Sequence, residues 1–184
     1  MKFIHESRSA FQQQVLNLAQ QAINACVCNL DMPRAEFSHP RFKEKLGVFI
    51  TLKKNNLLRG CIGIIESDQP LWQNIQNMAK ASSLEDPRFD PVHPSELEDI
   101  KIEVSVLTKP HLIANPKGIK PGQHGVIIEL EGRKGVFLPQ VATEYGYNRE
   151  QLLNMLCLHK MGLEGACWKN PDAKIYIFEA EVFD

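Results

Sequence analysis

The chain has 184 residues, 43% of them hydrophobic and 23% charged, and a formal net charge of -1. A chain of that length buries a core of its own, and that composition is ordinary for a globular protein. Lys and Arg are scattered and no apolar run is long enough to span a bilayer, which argues against nucleic acid and membrane as partners.

The first residues, Met1 to Arg8, lack the apolar centre of an export signal, so the expected compartment is the cytoplasm. A helix is predicted from about residue 8 to 28. Ser9 and Gln12 fit a capping box, and Phe11, Val15, Leu18, Ala22 and Cys26 recur at helical spacing. Residues 29–44 are broken by Pro33 and Pro40 and read as loop, with Phe37 and Phe42 pinning it to the body. Residues 47–53 and 57–65 read as a β-hairpin around Lys54-Asn55-Asn56. Pro70 suits the first turn of a second helix ending near residue 84, with Leu71, Ile75, Met78 and Ser82 on one face. Asp86-Pro87-Arg88-Phe89 stops it. Ile100, Ile102, Val104 and Val106 alternate in a strand whose other face carries Lys101, Glu103, Ser105 and Leu107.

A Pro/Gly-rich connection follows from Asn115 to Gly122, then a second hairpin, 126–130 and 134–138, turning at Glu131-Gly132. Asn148 and Gln151 cap a further helix that carries Leu152 and Leu156 and ends at Gly162, and Lys174 to Phe183 is a final strand. Hairpins with helices inserted between them predict an α+β fold, mainly antiparallel sheet flanked by helices. The stretches 29–44 and 109–124 are candidate separators of two lobes. Cysteines stand at 26, 28, 61, 157 and 167, an odd number without an export signal, which reads as reduced thiols rather than a disulfide framework.

The chemistry concentrates in Leu58-Arg59-Gly60-Cys61-Ile62-Gly63. Side chains alternate along a strand, so Arg59, Cys61 and Gly63 share one face, Arg59 and Cys61 roughly 6.6 Å apart. A cation near a sulfhydryl favours the nucleophilic thiolate, and Gly63 leaves the neighbouring surface without a side chain. Arg59 has two readings: an ion pair, with Glu103 as the natural partner, or a fork for a phosphate or carboxylate. Ser105 shares the Glu103 face and offers a hydroxyl. Arg88 reads first as a turn residue paired with Asp86 or Asp90. His124, between Gln123 and Gly125, is the histidine best placed for general acid/base work, against a plain reading as a loop histidine bonded to backbone. Gln140 follows Pro139 and either orients a ligand or supports its loop.

Metal spacing is poor. Cys26-x-Cys28 has no second pair, and Cys157 and His159 sit about 200° apart on a helix. A site joining distant residues, such as Cys61 with His124, is the arrangement left open. No phosphate loop, dinucleotide fingerprint or serine elbow occurs.

Five phrases in order carry a resemblance: Leu58-Arg59-Gly60-Cys61-Ile62-Gly63, Asp86-Pro87-Arg88-Phe89, Ile102-Glu103-Val104-Ser105-Val106-Leu107, Gly122-Gln123-His124-Gly125 and Leu138-Pro139-Gln140-Val141-Ala142. Over roughly residues 8–183 the chain resembles the AMMECR-type domain family, also called AmmeMemoRadiSam system protein A. The resemblance implies an α+β unit with a larger and a smaller lobe and the Arg-Gly-Cys segment near a cleft between them. It implies a pathway shared with Memo-like and radical S-adenosylmethionine proteins, without naming a reaction or a cofactor. Ser82-Ser83-Leu84 and Tyr147 depart from the family's usual small and aromatic residues there.

Two functional readings follow. In the first the chain is a small-molecule enzyme, with Cys61, His124 and Glu103 catalytic and Arg59, Gly60, Gly63, Ser105, Arg88 and Gln140 binding the ligand. In the second it is a non-catalytic module that binds a ligand or its pathway partners. A plainer third reading makes the Arg-Gly-Cys strand a packing device.

Overall fold

The computed structural model describes residues 9–34 and 37–184. The amino-terminal segment that bears on export lies outside them. The chain divides into two compact units. The larger runs to Val106 and takes in Glu181–Asp184; the smaller is Leu107–Ala180. The boundary thus falls just before the Pro/Gly-rich stretch at 109–124, whereas the one at 29–44 lies inside the larger unit.

In the larger unit α1 is Ala10–Val27, opened by the expected reciprocal cap: Ser9 Oγ accepts the Gln12 N–H, and Gln12 Oε1 accepts the Ser9 N–H. The predicted stripe is buried from Phe11 to Ala22, while Cys26 ends it half-exposed. Phe37 stacks on Phe42, with centroids 4.1 Å apart, and so ties the loop after α1 to the core. Strands β1 (Val48–Lys54) and β2 (Leu57–Ile64) form the hairpin, and β1 also pairs antiparallel with β3 (Ile100–Leu107). The turn is Asn55-Asn56, both with positive φ (52° and 62°), as a two-residue hairpin turn requires and asparagine tolerates. Helix α2 (Leu71–Leu84) buries Leu71, Ile75 and Ala79 against α1 and the hairpin. Pro70 stands at its N-cap, one place earlier than expected.

The smaller unit holds β4 (His111–Ile113), β5 (His124–Leu130), β6 (Arg133–Phe137), α3 (Pro139–Glu144), α4 (Arg149–Leu156) and most of β7 (Lys174–Phe183). Strand β7 pairs antiparallel with β4 and β5, and β5 with β6. Its own core gathers Val126, Ile128, Leu152, Leu153, Leu156 and Ile177. After α4 the chain widens into a π-helical turn, Cys157–Met161, and leaves at Gly162 with φ 63°. The whole is α+β with antiparallel sheets, as predicted. Among the described residues no helix is long and apolar enough to cross a membrane.

One expectation is overturned here. Cys157 and Cys167 form a disulfide, their Cα atoms 6.0 Å apart. An odd total of cysteines says nothing about any one pair. The turn at Gly162 folds the chain back within ten residues, a distance the bond can close. Cys26, Cys28 and Cys61 are free.

Candidate functional site

Strand alternation survives in β2 from Gly60 onward. Gly60 faces α2 so closely that a Cβ there would lie 2.2 Å from the Ser82 carbonyl oxygen. Cys61 therefore points away from the helices, onto the outer face of the sheet. Register places Cys61 opposite Thr51, and Thr51 opposite Glu103. The next row along is Gly63, Phe49 and Ser105. Gly63 does not leave open space beside the thiol: the Phe49 ring fills it, 2.2 Å from where a Cβ would stand. Ser105 is buried, 3% exposed.

The backbone of Cys61 is held from outside the sheet. Its N–H donates to Asp86 Oδ2 at 2.8 Å, and its carbonyl accepts from Arg88 Nη2 at 2.9 Å. Both polar groups thus turn away from β1, which makes Cys61 and Thr51 the close kind of antiparallel pair. That closeness brings Thr51 Oγ1 to 3.2 Å from the Cys61 sulfur. Asp86 is buried and accepts four N–H groups: those of Cys61 and Arg88 backbone, and Nε and Nη2 of the Arg88 guanidinium. The Arg88 contact, helped by the two backbone donors, holds this carboxyl far below the usual carboxylate range, against the opposing effect of burial. At Cys61, Asp86 and Arg88 together do for β2 what a neighbouring strand would do, satisfying the outward N–H and C=O of that one residue.

Arg59 is not where simple alternation puts it. Gly60 lies opposite Leu52 and Leu58 opposite Lys53, so Arg59 is the extra residue of a bulge. Its partner is Glu96, not Glu103. Nε reaches Oε1 at 3.1 Å and Nη2 reaches Oε2 at 2.9 Å, while Nη1 and Nη2 also donate to the carbonyls of Asp90 and Pro91. Glu96 takes the His93 N–H and Lys54 Nζ as well, and its pKa is lowered to about 2, chiefly by Arg59. The bulge is the reason for the switch: it takes Arg59 out of the row pattern and turns it to the 3₁₀ turn Pro94–Glu96. Glu103 pairs instead with Lys53, at 2.8 Å, and keeps that ammonium charged to higher pH than usual. From Cys61, Glu103 stands two strands away, about 10 Å, with Thr51 between them.

His124 and Gln140 belong to the smaller unit. His124 begins β5, opposite Glu179 of β7. Its Nδ1 accepts the Lys120 N–H at 3.2 Å, which assigns the ring proton to Nε2, 3.7 Å from Glu179 Oε1. Burial pushes the imidazole pKa down, and Glu179 only partly opposes it. Gln123 fixes Glu179 with a 2.9 Å hydrogen bond. Gln140 lies in α3, and its Oε1 is buried without a hydrogen-bond partner. Among the described residues no group of three His, Cys, Asp or Glu side chains is placed to hold a metal ion.

Of the residues singled out in the sequence, the structure joins Cys61 to Arg88, with the turn residue Asp86 between them, and it adds Thr51, Lys53, Glu96 and Glu179 as neighbours that the sequence did not single out. The His93-Pro94-Ser95-Glu96 capping pattern was a readable signal for Glu96, whose carboxylate bonds the His93 N–H.

Antiparallel strands with flanking helices, and an Arg-Gly-Cys edge strand whose Cys61 backbone is held by an Asp-Pro-Arg turn, define an α+β protein. The chain belongs to the AMMECR1 family, whose model matches residues 16–183. A protein of Thermococcus onnurineus is 42% identical over 183 residues, covering 92% of this chain and 88% of the relative. Protein MK0488 of Methanopyrus kandleri is 46% identical over 153 residues, covering 78% and 73%. The crystal structure of uncharacterized protein PH0010 from Pyrococcus horikoshii superposes with a TM-score of 0.83 at 36% identity, covering 95% of this chain and 91% of that one.

Proposed function

We propose that the chain is a small-molecule enzyme whose reacting group is the Cys61 thiol, serving a pathway with Memo-like and radical S-adenosylmethionine proteins. The observation that carries the reading is the sulfur itself. Cys61 is partly exposed on the outer face of the sheet, with its sulfur 3.2 Å from a hydroxyl and its backbone fixed by Asp86 and Arg88. As a thiolate it would add to the carbon of a C=O or C=C bond of the substrate, the π pair moving to the far atom, which takes a proton from solvent in place of the one the thiol released. The Arg88 guanidinium, 53% exposed, stands on the same residue's carbonyl and offers positive charge to an incoming anion. The pathway is what the resemblance to the family implies, and it is proposed here on that ground.

The test is competitive alkylation with iodoacetamide below pH 8, read peptide by peptide. Cys61 is expected to react faster than Cys26 and Cys28; Cys28 is the exposed comparator, and burial raises the Cys26 thiol pKa. Labelling of Cys61 no faster than Cys28 overturns the reading.

One observation favours the second reading, a non-catalytic binding module of the same pathway. Among the described residues the partner of the sulfur is Thr51, a hydroxyl rather than a base. In that case Cys61→Ser leaves ligand or partner binding intact.

A further inference from the structure

A hydroxyl stands beside the Cys61 sulfur, and its placement bears on what the thiol can attack. Thr51 Oγ1 lies 3.2 Å from the sulfur, across the close pair that β1 and β2 form there. Among the described residues that hydroxyl has no second hydrogen-bond partner, so its proton is available to the sulfur or to an atom next to it. The backbone N–H of Cys61 is not available in the same way. A nucleophile's own N–H often serves its adduct, but this one is given to Asp86 Oδ2 at 2.8 Å. A donor 3.2 Å from the sulfur is within hydrogen-bond reach of an oxygen carried by the very carbon that the sulfur attacks. In addition to a C=C bond, charge develops further along the acceptor and away from that donor.

We infer that the substrate of the Cys61 site is an aldehyde or ketone, and that Thr51 is the donor to its oxyanion. The inference rests on the thiol reading and narrows it. The thiolate bonds to the carbonyl carbon, and the π pair moves to the oxygen. That oxygen accepts the Thr51 O–H hydrogen bond and takes a proton from solvent, replacing the one the thiol released. The adduct is a hemithioacetal or its ketone counterpart, and nothing is oxidised or reduced. Threonine also suits strands by shape alone, so the test must remove the hydroxyl and keep the branch.

The test is protection of the full chain against iodoacetamide by propanal, read peptide by peptide. Each rate is divided by that of the same thiol without propanal, so that a change in intrinsic reactivity cancels. Half-protection of Cys61 is expected at a propanal concentration about fivefold below that for the exposed Cys28, the gain from one added hydrogen bond. Thr51→Val should abolish that difference, and Thr51→Ser, which keeps the hydroxyl, should retain it. Cys61 protected no better than Cys28 overturns the proposal, and the unaltered chain alone decides this. Equal protection in Thr51→Val and the unaltered chain overturns the role of Thr51. If acrylamide favours Cys61 over Cys28 more than iodoacetamide does, and propanal fails to protect, the substrate is of the C=C class instead. Cys61 alkylated no faster than Cys28 without propanal overturns the thiol reading itself, which keeps the two failures apart.

Discussion

At the scale of single residues, Asp86 matters more to the Cys61 strand than its place in a turn suggests. A buried carboxylate with four N–H donors is stable only while every donor stays in place, and one of those donors is the amide of Cys61 itself. Asp86→Asn keeps the shape but removes the charge opposite Arg88. We expect it to cost about 2–4 kcal/mol in urea unfolding, since one partner of a buried pair is lost. Arg88→Met should cost at least as much, because it leaves the buried Asp86 carboxylate without its counter-charge and without two of its four donors. A neutral Asp86→Asn would mean that the turn does not hold the strand. Glu96 gives a pH-dependent counterpart. Its carboxyl titrates at about 2 in the folded chain and near 4.5 when unpaired, so its contribution is complete above pH 4.5 and fades as pH falls towards 2. The stability gap between the wild type and Glu96→Gln should be about 2 kcal/mol at pH 6 and close towards zero near pH 2. A gap that stays constant across that window would show that Glu96 acts by shape alone.

At the scale of elements, the parts that could be read from the sequence are those whose signals are local. The Ser9 cap, the stripe of α1, the Asn55-Asn56 turn and the alternation of β3 each depend on residues a few places apart, and each was found within a residue or two. The bulge at Arg59 was not legible, because it is a property of pairing between strands. One inserted residue moved the arginine from Glu103 to Glu96 and so changed the most distinctive inference drawn from the strand. Strand β4, three residues long, and α3, six residues long, are too short for periodicity to declare them. The candidate thiol was visible as a residue type, but its hydroxyl neighbour came only with the register. Gly60 joins the two levels. Its missing side chain lets α2 approach β2, and a methyl would meet the Ser82 carbonyl at 2.2 Å. Gly60→Ala is expected to cost about 2–3 kcal/mol, as overpacking against backbone does. Gly132→Ala, in open space at φ +73°, should cost only about 1 kcal/mol. The two variants compared by thermal melting separate crowding from backbone strain, and a Gly60→Ala no worse than Gly132→Ala would remove the close approach from the account.

At the scale of the whole molecule, each unit carries its own core and its own kind of sulfur chemistry. The three free thiols lie in the larger unit, and the Cys157–Cys167 bond lies in the smaller. That bond closes a ten-residue separation, from the end of α4 past Gly162, and a loop of that size contributes about 2.5–3 kcal/mol by restricting the unfolded chain. The two tryptophans divide in the same way. Trp72 packs against the core of the larger unit, and Trp168 against that of the smaller, where its indole N–H donates to Asn154 at 2.7 Å. Trp72→Phe therefore leaves a reporter in the smaller unit, and Trp168→Phe leaves one in the larger. Replacing both Cys157 and Cys167 by serine should lower the denaturant midpoint read by Trp168 by the equivalent of those 2.5–3 kcal/mol, with little change in the midpoint read by Trp72. If both probes fall together, the two cores unfold as one cooperative body and the bond stabilises the entire chain. If neither moves, the cross-link carries no stability, and the turn at Gly162 is held by the packing of Leu156, Met161 and their neighbours alone.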